Sequence, residues 1–156
     1  MTPTPPSARG SSVLGIDIEI EDEAWANALP DAADLALIAA EAATAEGGLA
    51  ILLTDDETVA DLNLRFRDRA GPTNVLSFPA PANREGHLGD IALAYGVCAR
   101  EAADQGKPLA HHLQHLVAHG VLHLVGYDHQ TETEAAEMEA LERQILAGLD
   151  VPDPYA

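Results

Sequence analysis

A chain of 156 residues with 47% hydrophobic side chains holds enough apolar material for one core and too little length for two comfortable domains. Its net charge of −18, from 26 acidic against 8 basic residues, excludes a general nucleic-acid coat, because a polyanion would be repelled over most of the surface. A single cysteine excludes an internal disulfide framework and suits a reducing cytoplasm, and no apolar run reads as a signal peptide or a membrane span, so no membrane association is expected.

In chain order, residues 1–12 are rich in Pro, Ser and Thr and read as a disordered leader on composition alone. The folded domain is expected over residues 13–150, with 151–156 as a C-terminal tail. Residues 13–20 alternate, with Ile16, Ile18 and Ile20 on one face, and predict a half-buried strand. The Ala-rich stretch 31–46 opens on Pro30-Asp31 and predicts a helix. Residues 49–54 predict a short apolar strand. Thr54 and Glu57 read as a capping box for a helix that carries Val59, Leu62 and Phe66 and ends near Arg67.

Two further strands are predicted over 75–78 and 88–95, joined by a polar loop that contains His87. A helix over 97–104 is broken by Gly106, and Pro108 suits the first turn of the next one. From Val117 to Val125 that central helix is apolar almost all the way round apart from its two histidines, which predicts burial. Thr131 and Glu134 form a second capping box, opening a last helix with Met138, Leu141 and Ile145 inward and its glutamates outward. The order of elements predicts a single α+β domain, a small mixed sheet of about four strands packed with helices, with a three-layer sandwich as the other option. Strand order is not legible.

The chemistry concentrates in His119-Gly120-Val121-Leu122-His123-Leu124-Val125-Gly126-Tyr127-Asp128-His129. His119 and His123 stand four apart on a helix, so they stack one turn apart on one face. Gly126 is suited to end the helix in a left-handed conformation, and the turn after it lets His129 fold back toward the pair. Three imidazoles with a fourth position left to water describe an open, catalytic zinc site; a structural one would want four protein ligands, and Cys98 lies far upstream. Two buried imidazoles side by side must each lose a proton or find a partner, and one divalent ion per chain meets that need. His111 and His112 read as exposed. His115 reads as structural or as a support behind a ligand. Asp128 is placed either to accept an imidazole N–H and hold a tautomer, or simply to shape the turn.

Zinc helices of the HExxH kind carry a glutamate base after the first histidine. Here that position is Gly120, which disfavours peptide hydrolysis and is expected to clear space beside the metal. Of the eight basic residues, Arg65, Arg67 and Arg69 fall within five positions, which fits a localised anion site, a solvated helical surface or a chance cluster.

The run from His119 to His129 resembles the signature of the YbeY family of bacterial rRNA-maturation endoribonucleases. So do Leu62-Asn63-Leu64-Arg65-Phe66-Arg67, the stretch Pro72-Thr73-Asn74-Val75-Leu76-Ser77-Phe78-Pro79, and Leu88-Gly89-Asp90-Ile91. The resemblance implies a zincin-like central helix whose zinc is held by His119, His123 and His129. It implies cleavage of single-stranded RNA in small-subunit ribosomal RNA maturation and ribosome quality control, in the cytoplasm, with no DNA substrate. It also gives Arg67 the catalytic role, and a guanidinium does suit a phosphodiester transition state that gathers negative charge. A helix C-terminal cation favoured by the macrodipole is the other account of Arg67. Arg65 and Arg69 read as peripheral phosphate contacts or solvated charges. The acidic body leaves a second function open: a non-catalytic, metal-stabilised assembly factor that binds ribosomal proteins or a ribosome-associated GTPase. A third is a metal-dependent hydrolase of another substrate.

Overall fold

The computed structural model describes residues 9–11, 15–44, 47–81, 83–84 and 86–155. Its sheet has five strands in the order β1-β2-β3-β5-β4: β1 (Arg9–Ser11), β2 (Ile16–Ile20), β3 (Gly48–Thr54), β5 (His87–Ala94) and β4 (Val75–Pro79). The central pairs β2–β3 and β3–β5 are parallel, and both flanks, β1–β2 and β4–β5, are antiparallel. All four predicted strands are present, and the sheet is mixed as expected. The addition is β1, which pairs Arg9–Ser11 with Glu19–Asp17 and so takes part of the expected leader into the sheet. Residues 1–8 and 12 lie outside the described residues.

Register explains the core. Ile18, Ile51 and Ile91 lie side by side across β2, β3 and β5, all with no solvent exposure, on the face covered by α2 (Ala32–Ala43) and α5 (Leu109–Leu124). The opposite face carries Leu52, Leu76, Phe78 and Ala92 and is covered by Val59 and Leu62 of α3 (Asp56–Arg67). The chain is thus the expected α+β domain, with its sheet between two helical layers. Each fully buried Val, Leu or Ile contributes roughly 1.5–3 kcal/mol, so the shared interior of α2, α5 and the sheet dominates stability.

Several local expectations shift by a residue or a turn. Helix α3 is capped by Asp55, whose carboxylate accepts the Thr58 N–H at 2.7 Å, rather than by Thr54, which remains the last residue of β3. Helix α1 (Glu23–Ala28) was not foreseen; Asp22 caps it, and it seats the buried Trp25, whose indole N–H donates to the Thr54 carbonyl at 3.0 Å. Helix α4 spans Tyr95–Gln105 and ends at Gly106 as predicted. In α6 (Glu132–Ala147) the Thr131 hydroxyl accepts the Glu134 N–H, as its capping motif requires. The buried stripe of α6, however, is Met138, Glu142 and Leu146, so one glutamate faces inward. Residues 151–155, expected as a tail, are held on α6: Val151 is buried, and Asp153 accepts from Arg143 Nε at 3.0 Å. Among the described residues no helix is long and apolar enough to cross a membrane.

Candidate metal centre

Helix α5 runs through the interior with ten buried residues, so its histidines are presented by a rigid element. The helix ends in a Schellman motif: Gly126 adopts φ 111°, its N–H donates to the His123 carbonyl, and the Tyr127 N–H donates to the Leu122 carbonyl. A side chain at Gly126 would resist that left-handed turn, which is what reverses the chain and returns His129 to the helix. Asp128 then accepts the His129 backbone N–H at 2.7 Å. Asp128 therefore acts as the turn-shaping aspartate, and no imidazole hydrogen bond to it is seen among the described residues.

His119, His123 and His129 converge so that one ligand nitrogen from each lies within 4.8 Å of the others, and together they could hold a metal ion. The His119 and His123 Nε2 atoms are 3.1 Å apart. Two nitrogens on one tetrahedral zinc at about 2.0–2.1 Å would sit roughly 3.3 Å from each other, so the spacing fits a shared ion. Burial, then the neighbouring His119 and His129, hold the His123 pKa below its ordinary value, which favours the neutral, ligating imidazole. His119 Nδ1 lies 3.3 Å from a Glu142 carboxylate oxygen, so its N–H is directed there and Nε2 is left for a ligand.

Glu142 is the residue that sequence reasoning missed. It is 1% exposed and accepts three hydrogen bonds: His119, His115 Nε2 at 2.7 Å and the Tyr155 hydroxyl at 2.8 Å. Burial alone would raise its pKa, but these bonds outweigh burial and bring it down to about 2. His115 thus shares one carboxylate with His119. The only sequence signal was spacing, since Glu142 stands four residues from each of two buried apolar positions, Met138 and Leu146.

The three histidines open into a cleft of about 620 Å³ whose walls include Arg67, Asn74, Ser77 and Asp128. Arg67 reaches it from the last turn of α3, where Asp68 ends the helix at φ 54° and the Asn63 side-chain amide ties down the return loop through the Gly71 carbonyl at 2.9 Å. Arg67 is exposed and makes no ion pair among the described residues, whereas Arg65 pairs with Asp61 and Arg100 with Asp56. Arg69 does not line this cleft; it lines a neighbouring depression that Arg67 shares. Asn74 is held by Glu101, which also binds His112 at 2.9 Å. His112 is therefore not the exposed residue expected: it is 3% exposed, because α4 packs along α5 and supplies the acceptor.

Gly120 also departs from expectation. A Cβ there would meet Ile91 Cδ1 at 3.0 Å and Ser77 Oγ at 3.1 Å, so the missing side chain serves close packing of α5 on β4 and β5 rather than clearance beside the metal. Gly120→Ala is expected to destabilise the fold by about 1–3 kcal/mol, read from urea unfolding of the metal-free protein. An unchanged midpoint would show that Ile91 moves aside freely.

An α+β domain whose buried central helix, with the turn that follows it, offers three imidazoles to an open polar cleft has the plan of a metal-site hydrolase. Comparison with known proteins agrees. Residues 15–150 match the family model described as endoribonuclease YbeY. The endoribonuclease YbeY of Azorhizobium caulinodans is 51% identical over 155 residues, spanning 92% of this chain and 97% of that protein. The endoribonuclease YbeY of Maricaulis maris is 52% identical over 146 residues, spanning 90% and 91%. A solution structure of a Thermotoga maritima protein superposes with a TM-score of 0.55 at 21% identity, over 86% of this chain and 91% of that one, a likeness of fold. The chain belongs to the YbeY endoribonuclease family, whose members hydrolyse RNA phosphodiester bonds.

Proposed function

We propose that this protein is a zinc-dependent endoribonuclease that cuts single-stranded ribosomal RNA during small-subunit maturation and ribosome quality control in the cytoplasm. The observation that carries this reading is the shared cleft: the His119, His123 and His129 cluster and the Arg67 guanidinium line one open cavity. His119, His123 and His129 would hold the zinc, which would supply Lewis acidity toward a phosphoryl oxygen and acidify a coordinated water toward ~7. Arg67 then offers paired donors to the scissile phosphate, where charge builds as the bond breaks. Asn74 and Ser77 line the same cleft and offer polar groups beside the histidines.

The −18 body confines attraction for RNA to this basic edge. That charge also supports ribosomal proteins or a ribosome-associated GTPase as partners that bring the enzyme to its substrate. The test is cleavage of an end-labelled single strand and of its duplex, by native, chelator-stripped and zinc-restored protein. The expected result is cutting of the single strand alone, lost on stripping and regained with zinc. Cleavage that ignores the chelator would overturn the metal requirement, and no cleavage in any sample would favour the non-catalytic assembly factor.

A further inference from the structure

Among the described residues Glu142 is the only buried carboxylate. It lies 23 residues from His119 in sequence, on a different helix, and is almost wholly buried. One oxygen takes both His115 Nε2 and the Tyr155 hydroxyl, at 2.7 and 2.8 Å, and the other faces His119 Nδ1 at 3.3 Å. A buried carboxylate costs several kcal/mol to desolvate, so a fold that needed only a filled space there would favour an apolar side chain. Three donors converging on it indicate a group whose orientation matters.

The segment that delivers Tyr155 is itself strapped down. Arg143 on α6 donates to both Asp153 carboxylate oxygens at 3.1 and 3.0 Å, and the Tyr155 N–H donates to Asp153 at 2.8 Å. The Arg143 guanidinium lies 5.3 Å from the centre of the Tyr155 ring, and His115 meets that ring edge-on at 5.4 Å. Residues 153–155 therefore form a clasp whose working end is one hydroxyl.

We propose that Glu142 is the positioning residue of the metal centre. It holds His119 with Nε2 directed at the ion, and the clasp of Asp153 and Tyr155, with His115, holds Glu142. This inference rests on the metal-centred reading above and adds a residue, and a C-terminal device, to it. Partners that orient ligating histidines commonly contribute 10–100-fold to metal affinity, and an N–H to carboxylate bond also makes the imidazole a better donor. In Glu142→Gln the amide keeps the shape but replaces an acceptor by an NH₂ donor, so at least one of the three donors is left facing another donor.

The experiment measures zinc affinity by competition with a chromophoric chelator, alongside nitrogen-15 imidazole spectra of the metal-free protein. Glu142→Gln is expected to weaken zinc binding by about 10–100-fold. Tyr155→Phe, which keeps the half-exposed ring and removes only its hydroxyl, should weaken it in the same direction by less. The native spectra should show His119 protonated at Nδ1, and Glu142→Gln should erode that preference. Native zinc affinity in both folded variants, with the His119 tautomer unchanged, would overturn the proposal. If Glu142→Gln does not fold, Tyr155→Phe decides by the same two readouts. Failure of the native protein to bind zinc at all would instead sink the metal-centred reading, and the His119 tautomer would still decide what Glu142 does.

Discussion

His123→Ala is expected to lose its bound metal and, with it, RNA cleavage, while the metal-free fold survives. Complete four-ligand zinc sites are worth about 10–16 kcal/mol, so a single ligand's quarter share is roughly 2.5–4 kcal/mol, or ~100- to 1,000-fold in affinity. The fold should tolerate the change because His123 is only half-buried and its ring meets other site residues, His119 at 4.6 Å and His129 at 5.0 Å between centroids. Elemental analysis and a gel assay on the same preparation check both halves of the prediction. A variant that kept native metal content and native rate would remove His123 from the site.

Arg67→Ala is expected to behave in the opposite way, keeping the metal and losing the rate. Deleting a donor aimed at developing charge costs about 10²–10³ in kcat, whereas among the described residues this arginine makes no hydrogen bond or ion pair to the histidines. Its stability cost is confined to a favourable charge in the last turn of α3, about 0.3–1 kcal/mol. Arg67→Lys should recover part of the rate, since a point charge remains but the paired donors do not. An alanine variant with native metal and undiminished cleavage would assign the activity elsewhere and favour a non-catalytic assembly role.

The histidine cluster was legible because its geometry is local. An i, i+4 pair followed by a helix-ending glycine determines where three rings lie, whatever surrounds them, and the Schellman motif at Gly126 delivers His129 as that pattern requires. The strands were legible for a similar reason, since alternation in residues 16–20 and apolar runs at 49–54 and 88–94 report burial directly. What depended on docking was not. Glu142 sits in a glutamate-rich helix and is told apart only by α6 packing against α5, which rotates the buried stripe to Met138, Glu142 and Leu146. His112 looked solvent-facing until α4 placed Glu101 beside it. Gly120 looked like an opening because the pattern shows what is missing from a residue, not which neighbour approaches it. Strand order and the β1 pairing likewise arise from contacts between distant segments.

The most direct test of the metal site is X-ray absorption at the zinc edge, joined to elemental analysis, on protein purified without chelators. One zinc per chain is expected, with about three imidazole nitrogens at roughly 2.0–2.1 Å and an oxygen completing the shell. Protein that binds no ion even after zinc is supplied, or an ion whose neighbours are not imidazoles, would contradict it.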